Sequence, residues 1–225
     1  MQIDRLYEAV AEKGPVCVGL DTDYSYLPAE FARATLSRGE NIFNFNKAVI
    51  EATKGVAGCY KVQIAYYEAL GLEGLLAYKS TLNYLRDAGL IAIADIKRGD
   101  IAKTAELYAK AHLDGEFEAD FVTLSPYMGL DSILPYAKYM EEKGKGVFAL
   151  CRTSNPGARE DVYKRQGVLY GLLQTGDAET AMRYGNAASS LKNTVLGDLP
   201  ASDRKEVERT IRNHNATGYV SEMNR

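Results

Sequence analysis

The stretch LIAIADIKRGDIAKT, residues 90–104, determines the fold class predicted for this chain. It opens with the apolar run LIAIA, as in a strand that is buried in a parallel sheet. Asp95 and Lys97 follow where the strand ends, and Gly99 permits a sharp turn of the backbone. Asp100 then stands near the start of a helical pattern, where the free amides of a helix favour a carboxylate. The stretch therefore predicts a strand, a loop and the start of a helix.

The same short apolar run recurs along the chain, with helical patterns between the runs. The runs cover residues 16–20, 56–60, 90–94, 121–124 and 146–150, and the helical patterns cover 42–53, 66–88, 102–112 and 132–143. Strand and helix thus alternate at intervals of roughly 25 to 40 residues, which is typical of βα units. A complete barrel needs eight such units, about 250 residues. We therefore predict an α/β fold that is a partial (β/α)8 TIM barrel of about five βα units.

Each apolar run is followed by a polar residue at the end of the strand. These residues are Asp21, Lys61, Asp95, Ser125 and Arg152. In barrels and open α/β sheets, ligands bind where the carboxyl ends of the strands and their loops converge. A strand can also simply end where polarity begins, and that interpretation stays open for each single position.

The spacing of Asp95, Lys97 and Asp100 predicts a charged cluster with acid–base chemistry. Side chains two apart on a strand point the same way, so Asp95 and Lys97 should face one space. A lysine between two carboxylates stays charged and is suited to donate a proton. The same spacing is common in solvated loops and helix caps. The charges of Asp21 and Lys61 at neighbouring strand ends favour a functional site instead.

Composition and charge argue against several classes of function. The chain has 225 residues, of which 46% are hydrophobic and 25% charged, and its net charge is -3. It offers no basic surface for a nucleic acid. No apolar run is long enough to span a membrane, and the charged amino terminus, MQIDRLYEAVAEKG, differs from a signal peptide. We expect a cytoplasmic protein with neither a nucleic-acid nor a membrane partner.

Cysteine and histidine usage argue against disulfides and a metal site. Cys17, Cys59 and Cys151 are far apart and lie inside apolar runs, so we expect reduced, buried thiols. His112 and His214 are the only histidines, which disfavours a metal site built from several histidines. Acid–base chemistry then falls to Lys, Asp or Glu, and no metal is expected.

Six blocks between residue 1 and about residue 159 resemble orotidine 5'-monophosphate decarboxylases of the longer bacterial type. They are VGLD at 18–21, FNKAVI at 45–50, YKVQ at 60–63, residues 94–104, TLSPYMG at 123–129 and CRTSNPG at 151–157. The resemblance implies a barrel that works as a homodimer. It also implies a decarboxylase of pyrimidine biosynthesis, which releases CO2 from orotidine 5'-monophosphate to give UMP without a cofactor.

The resemblance implies that four charged residues handle the sugar and the reacting group. Asp21 and Lys61 would hold the ribose hydroxyls, and Lys61 would also belong to the charged network. Asp95 would lie against the substrate carboxylate, and Lys97 would protonate C6 of the pyrimidine as CO2 leaves. A fixed ammonium suits a reaction that forms a carbanion with no adjacent electron sink.

Three further residues are implied to complete the site. Asp100 and Thr104 would reach into the neighbouring subunit's site, and Ser154 would contact the pyrimidine ring. In the family, a glycine-rich turn and an arginine after the last strands bind the phosphate. This sequence has no counterpart of that turn or that arginine, and Arg212 stands in no matching motif. We therefore expect the charged catalytic residues to be present and the phosphate-binding site to be incomplete.

Beyond residue 159 the strand pattern stops, and the remaining sequence predicts helices without a sheet. Residues 160–166 form a charged junction that resembles a translated adapter, and residues 167–225 resemble the carboxyl end of a ribokinase-type sugar kinase, near 2-keto-3-deoxygluconate kinases. Helices are expected over 178–191 and 203–213. The division into 1–159, 160–166 and 167–225 predicts a chimera. The kinase motif with the catalytic aspartate is absent, so no phosphotransfer is expected of the tail.

Two alternatives to the decarboxylase stay open. A Mg2+-dependent sugar-phosphate aldolase or decarboxylase of the same superfamily would reuse the spacing of residues 95–100, although the Thr-Ser-Asn loop at 153–155 favours a pyrimidine. The second alternative is a non-catalytic chimeric product or an adenine-nucleotide-binding remnant of the kinase. Nucleotide titration separates them, because the decarboxylase part should prefer pyrimidine monophosphates.

Overall fold

The computed structural model describes residues 2–150, 167–168, 170–193 and 204–217. The chain forms two compact units, Met1–Ala149 and Leu150–Arg225. The first unit contains a parallel sheet of five strands that lie in sequence order. The strands are β1 Cys17–Gly19, β2 Cys59–Gln63, β3 Ala92–Arg98, β4 Phe121–Leu124 and β5 Gly146–Ala149. The predicted α/β class and the five predicted strands are confirmed.

Helices alternate with these strands. They are α1 Gln2–Lys13, α2 Arg38–Thr53, α3 Ile64–Glu68, α4 Gly71–Asp87, α5 Ala102–Leu113 and α6 Leu134–Lys143. Parallel neighbours joined through helices give the βα order of a (β/α)8 barrel. Among the described residues, no helix is both long and apolar enough to cross a membrane.

Two helices differ from their predicted bounds. The predicted start of α2 at residue 42 is late, because Ser37 caps the helix at its start and forms a capping box with Glu40 in the first turn. The Ser37 hydroxyl accepts from the Glu40 amide at 3.2 Å, and the Ser37 amide donates to the Glu40 carboxylate at 2.8 Å. The single helix predicted over 66–88 is wrong, since Gly71 adopts a φ of 66° and separates α3 from α4.

Alternation along the strands sorts their side chains onto two faces of the sheet. One face packs against the helices through a large apolar cluster that includes Tyr60, Val62, Ala94, Ile96, Val122 and Leu124. The residues between them form a smaller cluster, Cys59, Ile91, Ile93 and Phe121, against which Leu6 and Ala9 of α1 pack. The same alternation places Lys61, Asp95 and Thr123 on this second face, toward the carboxyl ends of the strands.

The cysteines only partly follow the prediction. Cys17 and Cys59 are free thiols, and Cys59 is buried. Cys17 is exposed, which corrects the expectation of a buried thiol. Within the described residues β1 pairs with β2 alone, so Cys17 is left exposed on this edge strand, whereas Val18 packs against the core. Cys151 lies outside the described residues.

The described residues of the second unit are mostly helical. Residues 167–168 and 170–175 are helical, and α7 Ala178–Asn193 and α8 Arg204–Thr217 follow. The Tyr184 hydroxyl lies 3.2 Å from the Glu208 carboxylate, which joins α7 to α8. The two helices predicted for the tail are therefore present. The junction at 160–166 lies outside the described residues, and the three predicted segments stay a prediction.

Candidate active site

Four charged side chains form a continuous series of ion pairs at the carboxyl ends of β1, β2 and β3. Lys61 Nζ lies 3.2 Å from Asp21 Oδ1 and 3.1 Å from Asp95 Oδ2. Lys97 Nζ lies 2.7 Å from both carboxylate oxygens of Asp95. The order Asp21, Lys61, Asp95, Lys97 alternates in charge, and we call it the ion-pair chain. The structure thus brings these predicted site residues together.

Asp95 is buried beneath two ammonium groups that reach the surface. The exposed fraction of the side chain is 6% for Asp95, 32% for Lys61 and 42% for Lys97. Burial alone would raise the pKa of Asp95, but hydrogen bonds led by those of Lys97 and Thr123 hold it below its ordinary value. Burial alone would lower the pKa of Lys61, but Asp95 and Asp21 together raise it. Asp95 and Lys61 therefore carry full charges at neutral pH.

Two neutral side chains complete the surroundings of Asp95. Gln63 Nε2 donates to Asp95 Oδ2 at 3.0 Å, and Thr123 Oγ1 donates to Asp95 Oδ1 at 2.7 Å. Sequence reasoning did not single out either residue as part of the site. Strand alternation is the signal that finds them, because Gln63 lies two residues beyond Lys61 and Thr123 is the polar residue of a buried strand.

The backbone at Lys97 departs from an ordinary strand. Its φ of 45° lies in the left-handed region, which costs a residue other than glycine roughly 1–2 kcal/mol. Gly99 keeps a φ outside that region. A Cβ on Gly99 would lie 3.1 Å from the Cβ and the carbonyl oxygen of Ser125. The left-handed turn is therefore made at the lysine, and the glycine allows the loop after β4 to approach.

Arg98 anchors the end of β3 next to Lys97. Its guanidinium lies 2.7 Å from the Glu68 carboxylate of α3 and 5.1 Å from the ring centre of Tyr108 on α5. Its carbonyl oxygen accepts from the Ser125 amide at 2.7 Å. The strand end that carries the lysine is thus tied to two helices and to the loop after β4.

A buried hydrogen-bond network holds the residues on either side of Asp21. The Tyr67 hydroxyl donates to the Leu20 carbonyl at 2.9 Å, and the Thr22 hydroxyl donates to Asn46 Oδ1 at 2.6 Å. Asn46 Nδ2 in turn donates to the Tyr67 hydroxyl at 2.8 Å. Because these groups are buried and mutually satisfied, they fix the loop that presents the Asp21 carboxylate.

Asp100 does not join the ion-pair chain. Its Oδ1 accepts from the Ile101 amide at 2.8 Å, just before α5. Within residues 2–150, Lys97 forms an ion pair with Asp95 and none with Asp100. The expectation that two carboxylates of the same chain flank Lys97 is therefore wrong. The turn at Lys97 directs its ammonium back onto the nearer carboxylate.

The remaining predicted residues lie at the edge of the site or beyond the described part. Thr104 is exposed in the first turn of α5, and Ser125 is half-buried at the end of β4. Arg152 and Ser154 lie outside the described residues. The roles predicted for Thr104 and Ser154 stay predictions.

A fixed ammonium beside a buried carboxylate is suited to one kind of chemistry. Lys97 can donate a proton to a carbon that gains negative charge, and Asp95 can repel an anionic group placed next to it. Among the described residues, no group of three or more His, Cys, Asp or Glu side chains could hold a metal ion. The contact between the Lys97 ammonium and the Asp95 carboxylate suits proton transfer and electrostatic stabilisation.

Known proteins are similar to this chain in sequence and fold. A family model described as "Orotidine 5'-phosphate decarboxylase / HUMPS family" matches residues 14–218. An orotidine 5'-phosphate decarboxylase of Clostridium acetobutylicum is 65% identical over 168 residues, 74% of this chain and 59% of the relative. That of Clostridium botulinum is 56% identical over 217 residues, 94% of this chain and 77% of the relative. The structure of Leishmania donovani OMP decarboxylase matches with a TM-score of 0.60 at 32% identity, and covers 75% of this chain and 63% of that chain.

These matches bear on the length and the tail of the chain. The chain spans about three fifths of the Clostridium acetobutylicum relative, since the match covers 59% of it. The family match and the Clostridium botulinum alignment both extend into residues 167–225. The comparisons thus give no support to a sugar-kinase origin of that segment.

Proposed function

We propose, because this chain belongs to the orotidine 5'-phosphate decarboxylase / HUMPS family, that it converts orotidine 5'-phosphate to UMP and CO2 in pyrimidine biosynthesis. The observation that carries the proposal is the ion-pair chain at one edge of the sheet. It offers a proton donor, Lys97, and a buried anion, Asp95, within hydrogen-bond distance of each other. The donor suits the carbanion that forms when CO2 leaves, and the buried anion suits the departure of a negative carboxylate as a neutral molecule.

In the proposed step, Lys97 supplies the proton that replaces the carboxylate. The bond between C6 of the pyrimidine and the carboxylate carbon breaks, and its electron pair stays on C6. A proton moves from Lys97 Nζ to C6, while CO2 leaves without charge. The repulsion between the substrate carboxylate and Asp95 ends at that moment. Lys97 regains a proton from solvent, to which 42% of its side chain is exposed.

Asp21 and Lys61 are proposed to bind the ribose hydroxyls. The Asp21 side chain is 39% exposed and the Lys61 side chain 32%, so both can be reached from the strand ends. A carboxylate accepts from a hydroxyl and an ammonium donates to one, which suits two neighbouring hydroxyls. Lys61 also joins the sugar site to Asp95, because it contacts both carboxylates.

The experiment that tests this function identifies the product. Orotidine 5'-phosphate is incubated with the full chain, and proton NMR follows the new C6–H signal of UMP. We expect UMP to appear at the rate at which orotidine 5'-phosphate is lost. If no UMP forms above the rate without protein, the proposal is wrong for this chain. Binding of adenine nucleotides in place of pyrimidine monophosphates would favour the non-catalytic alternative.

A Mg2+-dependent aldolase or decarboxylase of the same superfamily is the competing activity. Lys97 contacts both carboxylate oxygens of Asp95, and Lys61 and Gln63 also contact Oδ2. A hard cation would have to displace these donors, which disfavours the metal-dependent reaction. Turnover that persists in a chelator supports the decarboxylase, and turnover that requires added Mg2+ supports the competitor.

We further propose that the chain acts as a homodimer with shared sites. Asp100 makes no ion pair with Lys97 of its own chain within residues 2–150, and Thr104 is exposed beside it on α5. Both are therefore available to a second copy, which supports the proposal. Mixing inactive Lys97→Ala and Asp100→Asn proteins tests this, because a mixed dimer with shared sites regains one intact site. If the mixture is no more active than the two variants assayed separately, the sites are not shared between subunits.

The cytoplasm is the proposed location. Cys17 and Cys59 are free although they are register partners on adjacent strands, and free thiols are typical of a reducing compartment. Cell fractionation followed by immunoblotting tests this. Recovery of the protein outside the cytoplasmic fraction contradicts it.

For the tail, we propose that residues 160–166 are a junction between unrelated sequences. The described residues of 167–225 contain helices but no strand, whereas a barrel needs three strands after β5. The Clostridium acetobutylicum alignment covers only 168 residues. The family match through residue 218 favours one continuous sequence instead. Resequencing the coding region across residues 155–170 decides, because an uninterrupted natural reading frame contradicts the junction.

A further inference from the structure

The Thr123 hydroxyl joins the Asp95 carboxylate to the backbone of Lys97. Oγ1 donates to Asp95 Oδ1 at 2.7 Å and accepts from the Lys97 amide at 3.0 Å. We propose that Thr123 is a positioning residue, which sets the place of the Lys97 ammonium relative to the Asp95 carboxylate. This inference rests on the proposed function, because it assigns Thr123 to the same proton-donating pair.

The first support is the irregular pairing of β3 with β4. Ala94 pairs with Val122, and the next pair joins Arg98 to Leu124. The chain thus advances four residues on β3, from 94 to 98, but two on β4, from 122 to 124. The extra residues bulge from the sheet opposite Thr123. In a bulge the regular ladder partners are lost, and the Lys97 amide donates to the Thr123 hydroxyl instead.

The second support is the strained backbone at the bulge. Lys97 has a φ of 45°, which a side chain with a Cβ rarely adopts unless its surroundings hold it there. Thr123 is 8% exposed, so water does not compete freely for the hydroxyl. The hydrogen bond to the amide is therefore able to maintain this conformation. The conformation in turn places the Lys97 ammonium 2.7 Å from both oxygens of Asp95.

The third support is the arrangement of donors around Asp95. Thr123 donates to Oδ1, whereas Lys61 and Gln63 donate to Oδ2. Donors on opposite oxygens prevent rotation of the carboxylate about its bond to Cβ. One hydroxyl thus fixes the carboxylate plane and the lysine backbone together. Gln63 fixes only the carboxylate, so the two residues have separable effects.

Three variants of the full chain distinguish a positioning role of the Thr123 hydroxyl from the general effect of removing a threonine hydroxyl. Thr123→Val keeps the shape of the side chain and removes both hydrogen bonds, and Thr123→Ser keeps the hydroxyl. Thr53→Val is the matched control, because Thr53 donates to the Val49 carbonyl at 2.8 Å on α2, outside the ion-pair chain. Each protein is assayed for kcat and KM with orotidine 5'-phosphate and is crystallised.

We expect kcat to fall about 10- to 100-fold in Thr123→Val, since a displacement on the order of 1 Å at a reacting group can cost about a factor of 100. KM should change by less than about threefold, because Thr123 is not proposed to bind substrate. Thr123→Ser should restore kcat, and Thr53→Val should leave it unchanged. The φ of Lys97 should leave the left-handed region in Thr123→Val and stay there in Thr123→Ser.

An unchanged kcat together with an unchanged φ of Lys97 in Thr123→Val overturns the inference. A kcat that falls as far in Thr123→Ser as in Thr123→Val also overturns it. If Thr123→Val does not fold, Thr123→Ala takes its place with the same measurements. If the natural chain has no turnover, the proposed function fails, and the φ of Lys97 in the variant crystals still decides whether Thr123 holds the backbone.

Discussion

Lys97 Nζ lies at the same distance, 2.7 Å, from both oxygens of the Asp95 carboxylate. The carboxylate is buried and the ammonium is partly exposed, so the pair presents its positive end to an incoming molecule. Lys61 contacts the same carboxylate from the neighbouring strand. Removing the anion would therefore leave two ammonium groups close together without their shared counterion.

Asp95→Asn should lower both activity and stability. We expect kcat to fall about 100-fold, because the fixed position of Lys97 is lost. The free energy of unfolding should fall by about 1–2 kcal/mol, less than for a fully buried pair, since the Lys61 and Lys97 side chains are 32% and 42% exposed. Because the fold lowers the pKa of Asp95 below its ordinary 3.8, this stability is present above about pH 4 and is lost as the pH falls further.

Urea unfolding measures the change in stability. Glu106→Gln is the control, because it breaks the exposed pair between Glu106 and Lys103 and should leave the free energy of unfolding nearly unchanged. A more stable Asp95→Asn protein would show that strain in the pair outweighs its attraction, which contradicts the expectation.

His112 should make the fold sensitive to mild acid. The residue is 3% exposed, and among the described residues its Nδ1 has no hydrogen-bond partner. Burial, with a smaller effect of the Arg98 charge, lowers the pKa of His112 from 6.5 to about 4. The unfolded chain binds the proton at higher pH, so stability should be lost as the pH falls from about 6.5 to about 4, by on the order of 3 kcal/mol.

Unfolding in urea at several pH values between 4 and 7 measures this loss. His112→Phe removes the titrating group and suits the neighbouring ring of Phe117, which lies 5.9 Å away. The stability of this variant should depend less on pH across the same window. Parallel pH dependence of the two proteins would rule out His112 as the cause.

Cys17 should be the more reactive of the two described thiols. A hydrogen bond with Cys59 lowers the pKa of Cys17 to about 7, although the partial loss of water around this exposed side chain opposes the shift. The thiolate is the reactive form, so iodoacetamide should modify Cys17 with a midpoint near pH 7. Cys59 should react slowly, because it is buried and its pKa is raised. Peptide mass spectrometry over a pH series measures both rates.

The Cys59→Ala variant is the control for this pairing. It removes the hydrogen bond, so the midpoint for Cys17 should rise toward the ordinary value of 9.0. A midpoint that does not move, or faster modification of Cys59 in the natural chain, contradicts the assignment.

Gly39→Ala should destabilise the fold although alanine favours helices. A Cβ on Gly39 of α2 would lie 2.2 Å from the Glu73 carbonyl oxygen of α4. The two helices would have to separate, at a cost of about 1–3 kcal/mol, against a gain of about 1 kcal/mol from helix propensity. Gly55→Ala is the control, since a Cβ there meets no atom within 4 Å. Equal urea midpoints for the two variants would contradict this close packing.

The strands and the ion-pair chain could be predicted because both depend on local patterns. A short apolar run ended by a charge marks a buried strand and its carboxyl end. The period of two along a strand relates Asp95 to Lys97, and parallel pairing brings Asp21 and Lys61 beside them. These relationships need no knowledge of distant contacts beyond the order of the strands.

The features that sequence reasoning missed depend on contacts between distant residues. The left-handed φ of Lys97 accompanies a hydrogen bond to Thr123, a residue 26 positions away. The exposure of Cys17 follows from the place of β1 at the edge of the sheet. The division of the helix at Gly71 was hidden by apolar periodicity on both sides of it.

The central claim is that Lys97 donates the proton in the loss of CO2, and turnover of orotidine 5'-phosphate by Lys97→Ala tests it most directly. Lys103→Ala is the matched control, because Lys103 is exposed, six residues further along, and paired with Glu106 outside the ion-pair chain. We predict that the natural chain and Lys103→Ala form UMP at the same rate, while Lys97→Ala forms none above the rate without protein. UMP formation by Lys97→Ala at the natural rate would contradict the account.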